Sequence, residues 1–142
     1  IDGEVIGVNR AIYSNSGGSI GIGFAIPVNV AKDTIVQLKL HGKVRRGYIG
    51  VNIAPFTADY AKKTGLAGNE GALVGGIVKD GPAQYAGLKE GDVILKIDGT
   101  DVKNGMNLVK IISAKPIGST VKLTVWRDKT LREFNVTVKE RP

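Results

Sequence analysis

The 142-residue chain contains no cysteine and a single histidine, His41. Disulfide frameworks, thiolate catalysis and Cys/His zinc sites are therefore excluded within it, and no metal or other cofactor is expected. Aromatic residues are scarce, at 6%, with one tryptophan. No apolar run approaches the roughly 18 residues that a membrane span requires, so membrane insertion is not expected. No basic stretch followed by an apolar one opens the sequence, which begins directly with strand-like residues at Ile1, so any signal peptide is expected upstream.

What is abundant is glycine and positive charge: 20 glycines, scattered without period, and a net charge of +7. Scattered glycine with ordinary apolar content predicts a turn-rich chain, mainly β with some α. The charge raises nucleic acid as a partner. Only Lys39, Lys43, Arg45 and Arg46 cluster, around His41, while the other basic residues are mixed with acids and no aromatic stacking motif accompanies them. The expectation is a solvated basic surface and no nucleic-acid partner.

Residues 4–13 and 20–26 read as two strands joined by the turn residues 14–19, with Pro27 ending the second. Asn29 is expected to cap a helix carrying Ala31, Ile35 and Leu38 on one face, closed at Gly42 with His41 in its last turn. A hairpin and one helix cannot build a core alone, so this stretch needs something else to pack on. The polar, glycine-flanked segment 43–47 reads as a linker. Beyond it, about five strands and two or three helices suffice for an independent core. Strands are expected at residues 48–53 and 72–79. Thr57 should cap a short helix ending near Gly65, and Gly81-Pro82-Ala83 should open another that Gly87 closes. Val93, Leu95 and Ile97 alternate with polar residues up to an Asp98-Gly99 turn. A helix over residues 105–114 carries Leu108, Ile111 and Ile112, and the alternating residues around Val121 to Val125 and Phe134 to Val138 predict a hairpin turning near Asp128-Lys129.

Three constellations could carry chemistry. Asn15-Ser16-Gly17-Gly18 looks like the nucleophile turn of chymotrypsin-type peptidases, but no histidine and no buried-aspartate candidate precedes it, and an ordinary hairpin turn is the better reading. Glu90 with Asp92, and Asp98 with Asp101, are acid pairs beside glycine turns, better read as turn caps than as hydrolytic or cation-binding pairs. Tyr48-Ile49-Gly50-Val51 is the third. A glycine-bearing loop opening an edge strand can aim successive N–H groups at a carboxylate, and Leu108, Ile111 and Ile112 could wall a groove beside it. A buried strand with its core helix accounts for the same spacing.

Gly81-Pro82-Ala83, Ala86-Gly87-Leu88, Gly91-Asp92-Val93-Ile94 and Ile97-Asp98-Gly99 together resemble the signature of bacterial PDZ domains. Residues 2–9 and 17–27 resemble the last hairpin of the trypsin-like protease domain in the HtrA/DegP (Do) family, and Arg46-Gly47-Tyr48-Ile49-Gly50-Val51 follows in family order. The resemblance implies an α+β chain: residues 1–42 a hairpin and helix left from the protease β-barrel, 43–47 a linker, and 48–142 a PDZ domain, a small sandwich or partly open barrel. The triad residues of that family fall before residue 1, so this chain would be no enzyme itself, while its parent would be a periplasmic serine endopeptidase of protein quality control and stress response. The same resemblance makes Tyr48, Ile49, Gly50 and Val51 the carboxylate-binding loop, with Arg46 adding charge. It makes Asn52 and Ile53 the edge for peptide strand addition, and Leu108, Ile111 and Ile112 the helix side of a pocket preferring an apolar terminal residue. Partners would be unfolded or C-terminal peptides. Self-association through the PDZ domain or the exposed protease strands is the competing role.

Overall fold

A computed structural model describes residues 2–142; Ile1, where the first strand-like stretch was read to begin, lies outside the described residues. The chain divides into two compact units, residues 1–45 and 46–142.

In the first unit β1 (Gly7–Ile12) pairs antiparallel with β2 (Gly23–Pro27), with a bulge between Asn9 and Ala11. Helix α1 (Val28–His41) packs on both strands. Its N-cap is Pro27, not Asn29, which lies inside the first turn and caps nothing. Proline serves there because its fixed φ directs the chain into the helix without needing a donor. Gly42 ends the helix as expected, in the left-handed region with φ 69°, its N–H donating to the Leu38 carbonyl. The expected inward face is reversed in part: Ile35 and Leu38 are about half exposed, while Thr34 and Gln37 are among the better covered positions. None of the described residues up to Arg45 is buried.

The second unit is organised around a six-stranded sheet in the order β4 (Val51–Ala54), β5 (Ala72–Ile77), β6 (Val93–Ile97), β8 (Thr120–Arg127), β9 (Thr130–Thr137), with β7 (Thr100–Asp101) paired to β6. A separate ribbon joins β3 (Gly47–Tyr48) to β10 (Lys139–Glu140). Helices α2 (Ala58–Thr64), α3 (Pro82–Tyr85) and α4 (Gly105–Ser113) complete it. The mixed, mostly stranded architecture with open sheets agrees with the expected fold class. One core collects Val74, Ile94, Ile97, Leu108, Val121, Leu123, Val125, Val136 and Val138.

Local chemistry accounts for most of these boundaries. Thr57 accepts from Tyr60 N–H to start α2, and Asn104 accepts from Asn107 N–H to start α4. Asp98-Gly99 and Asp128-Lys129 take positive φ at both positions, the turn geometry that matches strand twist. Two expectations fail. The single strand over 48–53 is broken at Ile49-Gly50, because Gly50 has φ 80°. The alternation of Val93, Leu95 and Ile97 is reset by a bulge between Ile94 and Lys96. Val93, Ile94 and Ile97 are buried in consequence, whereas Leu95 is only half-buried.

Candidate functional site

The break between β3 and β4 forms a loop whose two carbonyls are tied back into the domain. Ile49 O accepts from Ala83 N–H at 2.8 Å and Gly50 O from Val78 N–H at 3.0 Å. In a trans peptide the N–H points opposite to the C=O, so the N–H groups of Gly50 and Val51 face away from those partners. Gly50 is also in contact distance of the Gly81-Pro82 step, where an added Cβ would meet Pro82 Cδ at 3.2 Å and Gly81 Cα at 3.3 Å. The Gly-Pro-Ala segment thus buttresses the loop from behind.

Strand β4 is the edge of the sheet. Val51 lies opposite Ile77, and the bond from Val78 N–H to Gly50 O marks Val51–Ile77 as a pair without mutual hydrogen bonds. The N–H and C=O of Val51 therefore point to the open side, where a further strand can pair. Helix α4 runs along that side. Leu108 and Ile112 are 1% and 4% exposed and anchor the helix in the core, each contributing about 1.5–3 kcal/mol through burial.

Between loop, edge strand and helix lies a cavity of about 370 Å³. It is lined by Gly47, Tyr48, Ile49, Gly50, Val51, Asn52 and Ile53 on the strand side and by Leu108, Val109, Ile112 and Ser113 on the helix side, with Arg141 and Pro142. The structure brings together Tyr48, Ile49, Gly50, Val51, Asn52, Ile53, Leu108 and Ile112 as the sequence grouped them. Two grouped residues lie elsewhere. Ile111 is half-buried against the core, because one helical step from Ile112 rotates it off the groove. Arg46 is exposed and not part of the lining; its carbonyl accepts from Arg141 N–H at 3.0 Å. That bond and the β3–β10 ribbon place Arg141 at the cavity instead. Val109 was legible in principle, lying four residues after Gly105 and three before Ile112. Arg141 was not, since a two-residue strand leaves no periodic signal.

The other constellations resolve into structural roles. Ser16 sits in the exposed turn between β1 and β2, its N–H donating to Ser14 Oγ at 3.3 Å. Asp92, Asp98 and Asp101 are each matched by a base rather than by a neighbouring acid, and Glu90 is exposed. Asp92 takes two bonds from the Arg127 guanidinium, both 2.6 Å, and one from Lys89 N–H. Asp101 pairs with Lys96 at 2.9 Å. Asp98 accepts from the Lys115 ammonium and from Lys122 N–H, which hold its carboxyl below the usual aspartate range, the Lys115 bond contributing most. No group of three or more potential metal ligands occurs among the described residues.

The PDZ domain family matches residues 47–138. The whole chain is 46% identical to the probable periplasmic serine endoprotease DegP-like of Brucella suis, of which it covers 28%, and 42% identical to that of Rhizobium meliloti, again over 28%. The chain thus spans under a third of the length of these curated relatives. Among solved structures, the HtrA-type protease AlgW with decapeptide superposes with a TM-score of 0.87 at 38% identity, over 99% of this chain and 43% of that one. The serine endoprotease from Yersinia pestis superposes with a TM-score of 0.75 at 27% identity, over 99% and 44%.

Proposed function

The chain belongs to the PDZ domain family through residues 47–138, and from that premise we propose that its 370 Å³ groove receives the C-terminal end of an extended, apolar-ended peptide. The observation that carries this reading is the loop at Ile49 and Gly50. Their carbonyls are committed behind the loop, which leaves the N–H groups of Gly50 and Val51 for the terminal carboxylate. The peptide adds as a strand along Val51, Asn52 and Ile53, and its last side chain enters between Ile49, Leu108 and Ile112. Arg141 at the same cavity supplies a positive charge near the carboxylate.

The similarity to HtrA-type proteases extends the reading to the parent protein, a periplasmic serine endopeptidase of protein quality control. Within it, residues 1–42 belong to the end of the protease domain and a linker follows, shorter than the expected 43–47 because Gly47 already pairs with Glu140 in the β3–β10 ribbon of the PDZ domain. In this reading the segment is the peptide-recognising part of that protein. Structures of the HtrA-type protease AlgW with a decapeptide and with a tripeptide support peptide recognition by a protein of this kind.

Titration of the chain with an apolar-ended peptide, as the free acid and as the C-terminal amide, tests the reading. Charge-assisted bonds contribute about 1.5–3 kcal/mol each, so the amide is expected to bind about 10- to 100-fold more weakly. Equal binding of the two forms would refute the carboxylate site.

A second role has its own support. Val5, Ile6 and Phe24 are 67%, 85% and 58% exposed in the first unit, a set of apolar side chains suited to packing against another protein surface, including a second copy.

A further inference from the structure

A second, larger cavity of about 610 Å³ adjoins the first and shares Ile53 and Val109 with it. Beyond those two it is lined by Ala54, Pro55, Phe56 and Met106, with Asn69, Gly71, Asn104 and Gly105. Its exposed apolar surface is unusual for side chains of this kind: Met106 is 86%, Val109 47% and Ile53 37% exposed. The two cavities meet where Ile53 of β4 lies against the start of α4. A Cβ on Gly105 would fall within the Ile53 side chain, so Ile53 resting on the start of α4 forms a saddle between them.

Direction follows from the carboxylate reading, on which this inference rests. A peptide whose end is held at the start of β4 runs antiparallel to it, so its upstream residues pass Ile53 and then Pro55. Alternate side chains face α4. Counting the last residue as 0, positions 0, −2 and −4 point toward the helix. Position 0 lies over Leu108 and Ile112, position −2 over the saddle, and position −4 about 13 Å from position 0. Along α4 the step from Ile112 to Gly105 is about 10 Å, so the second cavity lies within reach of position −4. Pro55 has no N–H to donate, and the backbone ladder therefore loses its donor just where that side chain arrives. Beyond Ala54, recognition has to come from side-chain burial.

We propose that the cavity formed by Pro55, Phe56, Met106 and Val109 is a second subsite, which selects peptides carrying an apolar side chain four residues before their C-terminus. The ligand class is accordingly a terminal segment of at least five residues with apolar residues at both positions 0 and −4.

The test uses the full chain and hexapeptides ending in an apolar residue, with leucine or serine at position −4, each as free acid and as amide. Burial of one leucine side chain predicts about tenfold tighter binding of the leucine peptide. Met106→Glu, at a solvent-facing position in the first turn of α4, is expected to abolish that tenfold preference. It should leave the thermal unfolding temperature and the acid-over-amide preference in place. Equal binding of leucine and serine peptides, with the acid still preferred, would overturn the second subsite alone. A leucine preference that survives Met106→Glu would overturn it as well, by locating the contact elsewhere. If acid and amide bind equally, the carboxylate reading fails and the position count falls with it.

Discussion

Asp92 is the buried charged residue among those described, 1% exposed, and its partner Arg127 is 13% exposed. Burying a carboxylate is costly unless it is paired and hydrogen-bonded, and here three donors reach it. Arg127 also donates to the Gly87 carbonyl at 2.9 Å and lies 4.8 Å from the Phe134 ring centroid. One side chain thereby joins the Ala-Gly-Leu turn, the Gly-Asp-Val-Ile segment and the last hairpin. Arg127→Leu would strand the buried carboxylate, with an expected loss of about 3–5 kcal/mol, readable from the urea midpoint. The Asp92→Asn, Arg127→Leu double variant should lose less than the sum of its two single variants. Additive losses would deny that the two residues act as a pair.

At the scale of elements, the groove depends on how closely α4 lies against β4. Gly105 sets that approach, because the space a Cβ would need is filled by Ile53. Gly105→Ala should improve local helix propensity yet force Ile53 to turn or α4 to move outward. The expected result is a several-fold loss in affinity for an apolar-ended peptide with little change in unfolding temperature, measured by titration beside thermal unfolding. Undiminished affinity would mean that the saddle has no part in shaping the groove. Strand β6 teaches a related lesson. Its apolar alternation is legible in the residues, but the bulge at Leu95, whose carbonyl accepts from Val102 N–H at 2.8 Å, is imposed by the neighbouring strands.

At the scale of the whole molecule the two units differ in kind. The second encloses its own apolar core, whereas none of the described residues of the first is buried. Residues 46–142 expressed alone should therefore fold cooperatively, with an unfolding temperature within about 4 °C of the full chain's, a shift corresponding to less than about 1 kcal/mol. Calorimetry of both chains checks this, and a collapse of the transition on removing residues 1–45 would contradict it.

Much of this was written in local chemistry. Turn residues, caps and period-two alternation act over a few positions, so the Thr57 cap, the Asp98-Gly99 and Asp128-Lys129 turns, the last hairpin and α4 were all legible in the sequence. The grouping of Tyr48 to Ile53 with Leu108 and Ile112 came instead from the resemblance to PDZ domains, because spacing alone also fits a buried strand with its core helix. What only the tertiary structure decided are pairings between residues far apart in the chain. Arg127 on Asp92, Ile53 on Gly105, and Arg141 rather than Arg46 at the groove are examples. No local pattern encodes them, because each follows from strand register and helix placement that the packing of the entire core determines.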